Sequence, residues 1–365
     1  GGRRRPGARL RGAGGREVGG GEGGRGVDLR LDRDRDLDRD PDLDRDLDRD
    51  RDRDRGAGAD RHVGSPEALN PVRLLGWIFR VIPRRWLDAL GAAAGWLVWA
   101  LGIRRRVVAE NLRLAFPEKS EAERRAIARR TYRNLGQMIP DFLRVPFLPR
   151  SEIERIFVYE GWELFEAAIA RGKGVIACTA HFGNFDLLAA AHTLRGIPVT
   201  MITRRMGKSG ANDLWRSIRR RSGVEDLVVT KGSTLAAAVR AVKAGRYLGY
   251  VIDQNQPDRH AIFPTFFGVP AATAPTPAVL AMRSGAAVVF VLSLPLGDGR
   301  HKVIFEGPIL PPDTGDRERD VLAFMQDLND RLERWIRVYP DRWYWLHRRW
   351  KTRPAGEGVP APHAN

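Results

Sequence analysis

The sequence predicts an α/β layer fold: a mostly parallel central sheet flanked by helices. Two observations carry this. From Gly174 to Val338, runs rich in β-branched and small apolar residues alternate with segments of helical period, at the spacing of successive strand–helix units. Strands are expected at 174–180, 197–203, 226–230, 247–252, 286–294 and 301–307, and helices at 161–171, 185–195, 210–221, 233–244, 274–284 and 316–338. The second observation is where the chemistry falls. His181 and Asp253 each close an apolar strand, and active residues of such sheets gather at the carboxyl ends of strands.

The first 64 residues belong to no layer. Residues 1–27 are rich in glycine and arginine, and 28–55 alternate aspartate with arginine or leucine, as in Asp38-Arg39-Asp40-Pro41-Asp42-Leu43. With no apolar face, nothing offsets the entropy of ordering such a stretch, so a solvated, low-complexity tail is expected. Residues 65–108 follow as a membrane-associating helical segment, 109–354 as the catalytic domain and 355–365 as a second tail. Trp86 to Ile103 holds a single charge, Asp88, between Arg84-Arg85 and Arg104-Arg105-Arg106. A spanning helix needs about 20 apolar residues, so a helix lying in the interface fits as well as a full span. A buried core helix is the remaining alternative. From Arg104 to Arg144 the period is again helical, and Pro140 and Pro146 are expected to end it.

Charge narrows the partners. Of 62 basic and 45 acidic residues, 17 and 16 lie in residues 1–64, so nearly all of the net +17 belongs to the folded part. Such an excess implies a polyanion: nucleic acid, an anionic membrane surface or a phosphorylated substrate. The lone Cys178 excludes an internal disulfide framework, and inside a strand it reads as a buried apolar residue. The chain opens on charge, so no secretory signal is expected. His192, His260 and His301 lack metal-ligand spacing, and no metal is expected.

The most informative stretch is Gly174-Val-Ile-Ala-Cys-Thr-Ala-His181-Phe-Gly-Asn-Phe-Asp186. It delivers an imidazole to a strand end, where a nearby acid makes it a general base. Asn184 suits the N-cap of the next helix, which puts Asp186 in the first turn. From there Asp186 is expected to accept from one ring nitrogen of His181 and leave the other free. No Gly-x-Ser-x-Gly elbow exists in the chain. A base without a protein nucleophile suggests that a hydroxyl of the substrate attacks.

His181-Phe-Gly-Asn-Phe-Asp186 resembles the His-x4-Asp/Glu block of the lysophospholipid acyltransferase superfamily, and more closely that of the lipid A biosynthesis (lauroyl and myristoyl) acyltransferases. The stretches Asn111-Leu-Arg-Leu-Ala-Phe-Pro-Glu118, Asp253-Gln254, Phe266-Phe267-Gly268 and Tyr339-Pro-Asp-Arg-Trp-Tyr-Trp-Leu-His347-Arg-Arg-Trp-Lys351 resemble the same family, in order, over about residues 70–354. That family carries glutamate where this chain has Asp186. The resemblance implies transfer of a fatty acyl chain from a thioester, of acyl-carrier protein or coenzyme A, to a hydroxyl of a lipid A precursor. It implies no bound cofactor, no nucleic acid and a monomer on the cytoplasmic face of the inner membrane. His181 would be the base and Asp186 its partner. Arg204 and Arg205 would hold a phosphate, with Asp253, Gln254 and Asn184 as further substrate contacts. Phe266 and Phe267 would line the acyl pocket or pack the core. The terminal Arg342–Arg353 run interleaves cations with tryptophans, which suits a membrane interface or stacked bases, and His347 in it reads as structural. Two rivals stand beside this: acylation of another glycolipid or a lysophospholipid, and a basic membrane- or nucleic-acid-binding module without chemistry.

Overall fold

The computed structural model describes residues 78–354 with Gly76 and Gly356, except 198, 205–209, 222, 230–233 and 258–259. Three helices come first: α1 (Arg84–Ala100), α2 (Arg105–Ala115) and α3 (Glu121–Arg144). The layered part follows as α4 (Arg150–Ile156), β1 (Phe157–Glu160), α5 (Trp162–Ala170), β2 (Val175–Thr179), α6 (Phe185–Leu194), β3 (Val199–Arg204), α7 (Gly210–Arg221), β4 (Val224–Val229), α8 (Thr234–Lys243) and β5 (Tyr247–Val251). A short hairpin, β6 (Thr265–Phe266) and β7 (Val269–Pro270), precedes α9 (Thr276–Ser284), β8 (Ala287–Pro295), β9 (His301–Ile309) and α10 (Arg317–Val338).

Seven strands form one sheet in the order β1-β9-β8-β2-β5-β3-β4, parallel except for the β8–β9 pair. The expected α/β class and parallel sheet are therefore present, and every expected strand has its counterpart. The sequence reading missed α4, β1 and the β6–β7 hairpin, whose two to seven residues are too short to show a period. β2 is central and buried along its whole length, which is why its sequence is a continuous small, apolar run rather than an alternation. Ile176 and Cys178 face one core, shared with α8, α9, α10 and the chain's last ordered segment. Val175 and Ala177 face the other, shared with α5 and α6. Burial raises the Cys178 thiol well above its ordinary range, so it serves as packing.

α1 and α3 cross with almost no side chain between them. A Cβ added to Gly136 would lie 2.0 Å from Gly91 O, and one on Gly95 2.0 Å from Tyr132 O. Pro140 sits inside α3 rather than ending it, a correction to the sequence reading. Proline cannot donate to the carbonyl four residues earlier, which is Gly136, and that is the carbonyl facing Gly91 at this crossing. Arg84 fixes the other end of α1, reaching Asp141 at 2.8 Å and donating to Gly299 O. Among the described residues no single helix is long and apolar enough to cross a membrane. α1 and α2 meet that test only as a pair bent by 93°.

Candidate active site

Two strand ends build the site. β2 and β5 pair in parallel with Thr179 opposite Val251, and Ile252 N donates to Thr179 O just beyond. Two residues past each strand, the same register brings His181 beside Asp253. His181 Nδ1 lies 2.8 Å from Asp253 Oδ1, and His181 N donates to Asp253 Oδ2 at 3.0 Å. Trp343 Nε1 donates to the same oxygen at 2.7 Å. Asp253 is buried, yet these donors and the imidazole hold its carboxyl below the ordinary value against the opposing effect of desolvation. For His181, burial pulls the pKa down. The charge and hydrogen bond of Asp253, with the charge of Asp186 behind them, outweigh it and leave the pKa raised.

This overturns the expected His181–Asp186 pairing. The ring nitrogen assigned to Asp186 is held by Asp253, 72 residues on, because strand register brings their backbones together. Asp186 lies buried in the first turn of α6, as expected, and faces Arg219 of α7, with 3.9 Å between Oδ1 and Nε. Its influence on His181 is one of charge. Asn184 does stand at the start of α6, but it makes no side-chain cap. Its amide donates instead to Met138 O, joining the turn to α3. Gly183 between them has φ +55°, and a Cβ there would strike Ser293 O, so only glycine closes this turn.

Gln254 comes within 3.2 Å of His181 Nε2, the nitrogen left to accept once Nδ1–H serves Asp253. Arg204 ends β3, as expected, and nothing further is described of its side chain; Arg205 lies outside the described residues. Among the described residues no group of His, Cys, Asp or Glu is placed to hold a metal.

The larger surprise is the terminal segment, which is part of the site's scaffold and not a surface. Gly183 N donates to Arg342 O and Tyr344 N to His181 O, while Phe182 and Trp343 form an antiparallel bridge. Arg349 is fully buried, donating to Ala272 O and Thr273 Oγ1 at 2.6 Å each. Burial lowers its pKa to about 10. His347 Nε2 accepts from Asn255 N at 2.7 Å, and burial pushes its pKa down to about 4, in keeping with a structural, neutral ring. Asn111 donates to Trp345 O and His347 O, so the first and last family-like blocks grip each other. Phe266 and Phe267 pack among Trp343, Trp345 and Trp350 in the core. Phe267 and Gly268 both have positive φ, the backbone of a two-residue hairpin turn. Sequence reasoning missed Trp343 as a contact of the site. A tryptophan beside an acid shows no pattern until the chain is folded.

The comparisons agree with this geometry. The family model for bacterial lipid A biosynthesis acyltransferases matches residues 71–352. The lipid A biosynthesis lauroyltransferase of Escherichia coli K12 is 29% identical over 308 residues, covering 76% of this chain and 95% of the relative. The palmitoleoyltransferase of the same strain is 28% identical over 283 residues, covering 77% and 90%. Its myristoyltransferase is 26% identical over 281 residues, covering 76% and 85%. With a match over most of its length and a histidine–carboxylate pair at the parallel strand ends, this chain belongs to the bacterial lipid A biosynthesis acyltransferase family and is an acyltransferase.

Proposed function

We propose that this acyltransferase moves a fatty acyl chain from an acyl thioester, carried by acyl-carrier protein, to a hydroxyl of a lipid A precursor. The reaction would take place at the cytoplasmic face of the inner membrane. The observation that carries the reading is the 2.8 Å pair between His181 Nδ1 and the buried Asp253. Asp253 accepts from Nδ1–H, fixing the tautomer in which Nε2 is basic. Nε2 takes the proton of the acceptor hydroxyl as its oxygen bonds to the thioester carbonyl carbon. The tetrahedral oxyanion then collapses with cleavage of the carbon–sulfur bond. The thiolate leaves and takes the proton back from His181, so the products are an ester and a free thiol. Gln254, 3.2 Å from Nε2, stands where the hydroxyl would approach and gives way to it. Asp186 contributes at longer range, its negative charge favouring the imidazolium formed during transfer.

Membrane attachment rests on α1. Its glycine face is spent on α3, and Trp86, Leu90, Trp96, Leu97 and Leu101 remain exposed near arginines at both ends. That layout suits a helix lying in the interface. His181→Ala should abolish acyl transfer in purified protein while binding to phospholipid vesicles persists. Retained transfer would overturn the mechanism. Mass spectrometry of lipid A from a deletion strain identifies the product, since the missing mass gives the chain transferred. An unchanged lipid A would instead favour another lipid acceptor.

A further inference from the structure

The corner between α1 and α2 carries chemistry that the reaction has not used. A cleft of about 740 Å³ opens there against the terminal segment, lined by Arg104, Arg105, Arg106, Arg348 and Lys351. No carboxylate lines it, and among the described residues none of the five cations forms an ion pair. Arg105 is held over the Trp99 ring at 4.7 Å. Arg104 takes a left-handed backbone conformation, φ +58°, rarely adopted by a residue with a side chain. Three arginines therefore stand at the positive end of α2, whose first turn contains no acid. Cations at a helix N-terminus are disfavoured, and an anion bound among them reverses the sign.

We infer that this cleft binds a phosphomonoester carried by a membrane lipid, namely the acceptor of the reaction proposed above, on which this inference rests. Three features select that ligand. Guanidinium forks match the oxygens of a dianionic phosphate and hold it in two-pronged fashion. The cleft reaches the reacting atoms: Asn255, in its wall, follows Asp253-Gln254 directly and donates to His347, which also lines it. The exposed Leu101 and Ile103 precede Arg104 without a break, so the apolar ridge of α1 runs into the cationic mouth. A soluble phosphate needs no such ridge, whereas a lipid with its chains in the interface and its head group below would use both.

The test compares the full-length protein with R104Q/R348Q, and with R155Q/R317Q as a control that removes equal charge elsewhere. Binding is measured to phosphatidylcholine vesicles doped with phosphatidic acid, a phosphomonoester, or at equal mole fraction with phosphatidylglycerol, a diester. The wild type and control should prefer phosphatidic acid, and R104Q/R348Q should lose that preference by about tenfold, as expected for lost charged hydrogen bonds. The same variant should raise KM for the lipid acceptor about tenfold with little change in kcat or in KM for acyl-carrier protein. R348K, which keeps charge but not the fork, should fall between. No preference in the wild type, or an equal loss in the control, overturns the site. A raised KM for the carrier with lipid preference intact makes the cleft a protein-docking surface instead. Preserved preference loss with unchanged acceptor KM overturns the assignment to the acceptor. Vesicle binding needs no turnover and is repeated in H181A, so absence of transfer by the wild type sinks the proposed reaction without deciding the cleft.

Discussion

Residues 84–106 and 342–353 share a composition, tryptophans interleaved with arginines, yet the fold treats them in opposite ways. In α1, Trp86 and Trp96 are 58% and 62% exposed; in the terminal segment, Trp343 and Trp345 are 1% and 0% exposed. The cause is backbone geometry. α1 is a regular helix whose face with Gly91 and Gly95 can approach α3 closely, so its 3.6-residue period turns Trp86, Leu90 and Leu97 outward. The terminal segment is irregular, and each buried indole can be aimed at its own acceptor. Trp343 Nε1 meets Asp253 and Trp345 Nε1 meets Pro340 O, while Arg349 spends its guanidinium on Ala272 and Thr273. Composition identifies side chains fit for an interface. It does not say whether that interface is a membrane or the protein's own core.

The strongest test of the buried region acts on its junction with the site. Asp253→Asn should lower kcat by about 10²–10⁴-fold, the range of a misplaced or missing general base. An amide NH₂ turned toward Nδ1 would force that nitrogen to accept, placing the proton on Nε2 and removing the base. The pH profile gives a second reading. Wild-type activity should rise with pH through a His181 pKa above the ordinary histidine value, because the neutral ring is the active form. Losing the Asp253 charge should move this acid limb of the residual activity to lower pH. A full-rate D253N enzyme would leave the terminal segment as mere packing.

Trp343→Phe is the next step down. It keeps an aromatic ring in the core but takes one donor from a buried carboxylate, a loss of about 1–3 kcal/mol in urea unfolding near neutral pH. The sign of its pH dependence follows from Asp253. The folded-state pKa is depressed, so the stability it contributes is present above the unfolded value and is lost as pH falls through the folded one. The variant raises the folded pKa toward normal. The stability gap between wild type and variant should therefore be full above about pH 4 and shrink below it. A gap independent of pH would mean that only ring packing was lost.

Much of this arrangement was legible in the sequence, and the parts that were not share a cause. Periodicity located β2, β5, α6 and α10 within a residue or two, and the strand-end positions of His181 and Asp253 could be read directly. Their pairing could not, because it depends on which strands neighbour each other. β2 sits beside β5 although β3 and β4 intervene in the chain. The nearer carboxylate, Asp186, was the natural choice on spacing alone, yet it sits across from Arg219. The scaffolding role of Trp343, Trp345 and Arg349 was hidden for the same reason: their partners lie between 5 and 90 residues away with no repeating interval.

The smallest effect on the fold should come from the exposed side of the comparison. Trp86→Ala with Trp96→Ala removes two large rings from α1 without touching the glycine crossing or the Arg84–Asp141 contact. Exposed substitutions of this kind change stability by about 0.5 kcal/mol or less each, so unfolding curves should nearly superimpose on those of the wild type. Vesicle binding should behave differently. A large apolar side chain moved out of water contributes about 1.5–3 kcal/mol, so losing two rings from an interfacial helix should weaken binding at least tenfold. Loss of folding stability with unchanged vesicle binding would place these tryptophans with Trp343 and Trp345, in a contact of the protein with itself. Unchanged stability with weakened binding would mean that the two tryptophan–arginine segments divide the work, one turned to the lipid and one holding the base that acts on it.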